Sequence, residues 1–353
     1  MKEVGSDSRI ATRPLLNELR VSMFDRIGFF VLAVWLLQAA VAHKQIRSQE
    51  GSLSVEVADD LSIKDPVRKK ELPFKVYYPK TGGPYPVIVF SHGFGGNKDV
   101  FGPVGKHWAS HGYVVIHPSH EDGLSPQGNE ARNSGGEAGS LRGRLGNLRN
   151  ELNNTNKISG RVADLVLVLD KLEVLPSLAP GLKGKIDSKR IGVAGHSFGA
   201  YTAMLIGGVT TDFGQEKGKS FLDKRVNCIL PISAQGTGQQ GLTEQSWDAL
   251  RMPMMTITGT EDRGVGGQSV EWRKEPYKYS PAGDKYLIVI EGANHMSYGG
   301  ALRIRGGSVT EIVNLSTTKY WDAYLKNSRE AKEYLQSDKL VKDFAGKCTL
   351  DKK

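Results

Sequence analysis

The sequence predicts an α/β fold: an open, mostly parallel eight-stranded sheet with helices on both faces. Three observations predict it. Short runs rich in Val, Ile and Tyr alternate with helix-like segments, as expected of a parallel sheet covered by helices. The chain has 353 residues, 39% of them hydrophobic, which is enough for one large core. A strand-like run, a glycine-flanked turn and a helix-like run follow one another directly at 190–206. In order, strands are expected near 53–58, 73–78, 85–91, 113–117, 190–195, 227–233, 253–259 and 284–291. Helices are expected at 98–111, 158–175, 198–206, 243–250 and 316–336. Two polar excursions interrupt this rhythm. Residues 121–157, rich in Gly, Asn, Arg and Ser, read equally as a lid or as a solvated loop, and 210–224 form the second.

Residues 27–42 form an apolar run broken only by Gly28 and Gln38, preceded by Arg20 and Arg26 and ending Ala40-Val41-Ala42. It is short for a bilayer span and suits a cleaved signal peptide, with an uncleaved anchor as the alternative. Residues 1–42 are therefore read as a leader on a single domain, 43–353, exported to the periplasm or beyond. The leader is long, and a start at Met23 would bring it to the usual length. All but one unit of the +9 net charge lies beyond residue 42, which allows association with an anionic membrane surface. No nucleic-acid motif and no obligate protein partner is evident. Cys228 and Cys348 are read as a buried thiol and a tail thiol, with a single disulfide as the alternative.

The chemistry centres on Gly195-His196-Ser197-Phe198-Gly199. With 42 glycines in the chain a bare G-x-S-x-G match carries little, so context decides. Arg190-Ile191-Gly192-Val193-Ala194 before it is strand-like and Ala200-Tyr201-Thr202-Ala203-Met204-Leu205 after it is helix-like. That is the nucleophile elbow of an α/β-hydrolase fold, with Ser197 as the candidate nucleophile. A serine hydroxyl needs a base oriented by a carboxylate, and on this fold they follow in the order serine, acid, histidine. Of eight histidines, His295 alone lies beyond Ser197. The acid should follow the strand Met254–Gly259, where Asp262 is chosen over Glu261, and over Asp284 and Glu291 more remotely.

Backbone N–H groups should hold the oxyanion. Phe198 supplies one, and Phe94, in His92-Gly93-Phe94-Gly95-Gly96 after the strand 85–91, is the candidate for the other. His117-Pro118-Ser119-His120-Glu121-Asp122 is a competing cluster. Pro118 makes a chelating face doubtful, so these residues are read as lining the cleft or bonding the loop, and no metal or cofactor is expected.

Residues 86–120 resemble the oxyanion region of platelet-activating factor acetylhydrolases and of bacterial proteins called predicted dienelactone hydrolases. The elbow 195–203 and the segments 232–236, 257–264 and 290–299 look like matching parts, so the likeness covers most of 70–300. It implies a serine esterase acting on short-chain or acetyl esters, small-molecule or lipid-derived, with Ser197, Asp262 and His295 as triad and Phe94 and Phe198 as oxyanion donors. True dienelactone hydrolases carry cysteine where this chain has Ser197. Cutinases and polyester hydrolases are more distant relatives, and a serine peptidase or amidase and a non-catalytic binding protein remain alternatives. Gln235, Trp272 and Tyr298 are the expected substrate contacts.

Overall fold

A computed structural model describes residues 51–122, 141–300 and 308–353. The leader and residues 123–140 of the first excursion lie outside the described residues. Gln49–Lys353 forms one compact unit.

All eight expected strands are present: β1 (Val55–Asp65), β2 (Lys70–Pro79), β3 (Tyr85–Ser91), β4 (Val114–Pro118), β5 (Ile186–His196), β8 (Val226–Ile232), β9 (Met254–Gly259) and β10 (Lys285–Ile290). The sheet gains a ninth, β11 (Cys348–Lys352), giving the order β1-β2-β4-β3-β5-β8-β9-β10-β11. From β4 to β10 every neighbouring pair is parallel, while β1, β2 and β11 join antiparallel. The remaining strands, β6 (Thr211–Phe213) and β7 (Glu216–Lys219), form a separate ribbon within the second excursion.

Alternation along β3 divides the core between the two faces. Val87 and Val89 belong to a cluster with α3 (Thr155–Asp170) and α4 (Phe198–Ile206). Phe90 points the other way, toward Trp108 of α1 (Gly102–Ser110). Trp108 is fully buried, packs edge-on against Trp321 of α6 (Ser308–Leu325), and donates its indole N–H to Thr317 Oγ1 at 2.9 Å. Burial of such a side chain stabilises the fold by roughly 1.5–3 kcal/mol, and its one polar atom is satisfied.

Several elements depart from expectation for local reasons. The helix expected at 316–336 is two, α6 and α7 (Arg329–Gln336), separated at Asn327 (φ 56°) and restarted by Ser328, whose hydroxyl accepts the Ala331 N–H. The segment 243–250 holds only a short 3-10 turn, Glu244–Trp247. A helix not expected, α5 (Val270–Tyr279), carries Pro276 inside it. Part of the first excursion is helical as α2 (Leu141–Leu152). Cys228 and Cys348 are both buried free thiols. They sit on β8 and β11 with two strands between, about 14 Å at ~4.8 Å per strand, too far for a disulfide. Among the described residues no helix is long and apolar enough to cross a membrane.

Candidate active site

β5 runs through the middle of the sheet and delivers Ser197 at its C-terminal end, the edge at which open α/β sheets bind ligands. Ser197 adopts φ 55°, ψ −118° as the residue before α4, a conformation costly for a non-glycine residue and found where surroundings enforce it. The enforcement comes from packing. A Cβ on Gly195 would lie 2.2 Å from the Gly199 carbonyl oxygen, and one on Gly199 would lie 1.9 Å from that of Ser91. Glycine at both positions lets the turn close and the helix start against β3.

Ser197 Oγ lies 3.0 Å from His295 Nε2, and His295 Nδ1 lies 3.1 Å from Asp262 Oδ1. Ser197 is partly exposed and the His295 side chain 27% exposed, whereas Asp262 is fully buried. Burial pushes the Asp262 carboxyl up, yet the hydrogen bond to His295 and the Arg273 charge outweigh it and hold the group down at about 2. Thr258 and Tyr298 hydroxyls donate to its Oδ2 at 3.1 and 2.9 Å. Arg273, from α5, has Nε 3.4 Å from Asp262 Oδ1 and donates to the Ser233 and Ala234 carbonyls. Ser233 Oγ stands 2.8 Å from His295 Nδ1. The histidine loop is pinned by His196, whose Nε2–H donates to the His295 carbonyl at 2.8 Å, and burial lowers the His196 imidazole to about 3, so it stays neutral. Glu261, the alternative acid, is exposed, and Asp284 pairs with Lys332 away from the site.

Phe198 is the first residue of α4, so its N–H has no acceptor within the helix. The loop bearing Phe94 abuts the same spot: a Cβ on Gly93 would meet Ser197 Cβ at 3.4 Å, and the Phe94 and Phe198 rings are 6.2 Å apart. Beneath this loop is a second Ser–His–Asp arrangement. Ser91 Oγ lies 2.8 Å from His120 Nε2, and His120 Nδ1 donates to Asp164 Oδ2 at 2.9 Å. All three residues are buried, and Arg68 and Lys70 neutralise Asp164. Asp122 pairs with Arg161 of α3. Ser119 Oγ accepts the Lys98 N–H at 2.9 Å and the His120 N–H donates to His92 Nε2 at 2.9 Å, so these two residues of the 117–122 cluster bond the loop, one of the two expected roles.

The three expected substrate contacts separate. Trp272 lines a cleft of about 730 Å³ with Arg149, Leu152, Thr237, Gln240 and Val265. Gln235 is 4% exposed, and its Oε1 has no partner among the described residues. Tyr298 has no surface to offer a substrate: it is fully buried and its hydroxyl serves Asp262, so the expected contact is replaced by a brace on the acid. Sequence reasoning missed Arg273, Ser233 and Arg161. Arg161 left a signal, since it and Asp164 interrupt the stripe Ile158, Val162, Leu165 and Val168 that faces the core.

The family model for "Platelet-activating factor acetylhydrolase, isoform II" matches residues 62–133, the stretch from within β1 past the loop bearing Phe94 and β4. A platelet-activating factor acetylhydrolase of Canis lupus familiaris is 25% identical over 67% of this chain and 53% of its own length. One from Cavia porcellus is 29% identical over 35% of this chain and 32% of its own length, and one from Bos taurus is 43% identical over 12% and 10%. The chain thus spans about half the length of the dog relative. The resemblance read from 86–120 is borne out.

Proposed function

We propose, from an α/β-hydrolase fold similar to the platelet-activating factor acetylhydrolases, that this protein is a serine hydrolase of carboxylic esters with Ser197 as nucleophile, His295 as base and Asp262 as orienting acid. The observation that carries the reading is the continuous chain from Ser197 Oγ through both nitrogens of His295 to a buried, ionised carboxylate. Ser197 Oγ attacks the ester carbonyl while its proton passes to His295 Nε2. Asp262 accepts from Nδ1–H, fixing the tautomer and stabilising the imidazolium. Negative charge on the carbonyl oxygen is met by the N–H groups of Phe94 and Phe198. His295 then protonates the departing alcohol, leaving an acyl group on Ser197, and water activated by the same imidazole releases it.

The substrate class is short-chain or acetyl esters, including lipid-derived ones. The named relatives favour it, and Trp272 and Val265 give the cleft they line apolar surface. The mechanism engages nothing beyond side chains and main-chain N–H groups, so no cofactor is invoked. Replacing Ser197 by Ala should abolish hydrolysis of p-nitrophenyl acetate while the circular dichroism spectrum stays unchanged. Retained turnover in that variant would falsify the assignment. A panel of acyl esters and peptides tests the ester preference, and preferential peptide cleavage would move the reading to a peptidase.

A further inference from the structure

We infer that Arg161 is a positioning residue of the oxyanion hole: its guanidinium, neutralised by Asp122, holds the Gly93 carbonyl and so aims the Phe94 N–H at Ser197. This rests on the proposed ester hydrolysis. Arg161 is 2% exposed, in the interior of α3, a place where an arginine persists only if paired and hydrogen-bonded. Asp122 supplies the charge, with Oδ1 2.9 Å from Nη2 and both carboxylate oxygens about as close to Nε. What remains of the donor fork is spent on one stretch of backbone. Nη1 donates to the His92 carbonyl at 2.7 Å and Nη2 to the Gly93 carbonyl at 3.3 Å, while Nη1 also reaches Ser91 Oγ at 3.3 Å.

The Gly93 carbonyl has two further donors. Gly96 N–H lies 3.0 Å away and His92 Nδ1 2.7 Å. The tautomer of His92 is fixed: its Nε2 accepts the His120 backbone N–H at 2.9 Å, so Nδ1 carries the proton and donates. Three donors therefore converge on one oxygen. The Gly93–Phe94 peptide is trans, so its N–H points opposite to its C=O. Fixing the carbonyl toward α3 turns the Phe94 N–H the other way, and among the described residues no protein group accepts from it. A flip of this peptide would break all three bonds and present a carbonyl oxygen where the oxyanion forms. Arg161 also stacks on the Phe198 ring at 4.5 Å, touching the residue that carries the second donor. The Ser91–His120–Asp164 arrangement completes the support, since Ser91 accepts from Arg161 and donates to His120.

The test is steady-state hydrolysis of p-nitrophenyl acetate by Arg161→Met, with kcat expressed per site labelled to completion by a fluorophosphonate. Expected is a loss in kcat of about tenfold to a hundredfold, below the ~10²–10³ for deleting an oxyanion donor outright, with KM within about twofold of wild type. Affinity for a trifluoromethyl ketone, whose hemiketal oxygen occupies the hole, should fall in parallel with kcat. Because a lone Asp122 left buried could unfold the protein, the double variant Arg161→Met with Asp122→Leu removes charge and counter-charge together, a change buried pairs often tolerate. It should show the same losses. Normal kcat per labelled site and normal ketone affinity in the double variant would overturn the inference, and Arg161 would then only support the fold. Failure of the wild type to label or turn over would instead overturn the ester-hydrolase reading.

Discussion

Two Ser–His–Asp arrangements lie on this sheet with nearly the same internal distances, and they differ in everything that surrounds them. Ser197–His295–Asp262 spans 3.0 and 3.1 Å, and Ser91–His120–Asp164 spans 2.8 and 2.9 Å. Ser197 stands in a strained turn before a helix, partly exposed, with the first N–H of α4 beside it. Ser91 ends an ordinary strand with no exposure, its hydroxyl already engaged by Arg161 and His120, and Arg68 and Lys70 cap the acid. Side-chain spacing alone therefore does not tell the two serines apart. Ser197 adds access and the first N–H of α4 beside a hydroxyl bonded to His295, and the buried arrangement lies against the loop that bears Phe94.

The largest expected contrast is between the two serines. Ser197→Ala should lower kcat by about 10⁴–10⁶. Ser91→Ala should leave kcat per folded site within a few-fold and instead cost stability, about 1–3 kcal/mol in urea unfolding, because His120 Nε2 loses its partner. Comparable activity losses in both would erase the distinction between the two serines. Next, Asp262→Asn should cost about 10⁴ in kcat by favouring the wrong His295 tautomer. Asp164→Asn should cost about 3–5 kcal/mol of stability by leaving Arg68, Lys70 and His120 around a neutral amide.

A smaller effect separates the histidines. Burial lowers His107 to about 4 and His117 and His196 to about 3, so these rings stay neutral in the folded protein where the unfolded chain takes up protons near 6.5. Their contribution is therefore complete above pH 6.5 and is lost as pH falls toward 4, at up to about 1.4 kcal/mol per pH unit for each ring. Asp262, held at about 2, contributes above the ordinary carboxylate range and loses its share only as pH falls from about 4 to 2. Urea midpoints at pH 7.5, 6 and 5 should fall monotonically, and His117→Phe should flatten that slope. An unchanged slope would show that His117 takes up its proton in the folded state. The smallest effect is Tyr298→Phe, which removes one donor from Asp262 and should reduce kcat by less than about tenfold, from a bond worth about 1–2 kcal/mol.

What could be read from the sequence was local or fixed by chain order. The elbow is legible because strand, glycines, serine and helix are contiguous, and His295 because no other histidine follows Ser197. The central strands are legible because buried parallel strands are nearly unbroken apolar runs, as in Val87-Ile88-Val89-Phe90. What escaped depends on distant contacts. Arg273 reaches Asp262 from a helix that Pro276 disguises, and β11 is a short, partly charged edge strand identified only by its pairing with β10. Arg161 meets the Gly93 carbonyl across 68 residues of sequence, and no spacing rule connects them.

The most direct test is covalent. Wild-type protein treated with an excess of a fluorophosphonate and digested should show one adduct, on the peptide containing Ser197, and none on the peptide containing Ser91. Absence of any adduct, or modification at Ser91, would contradict the division of labour between the two arrangements.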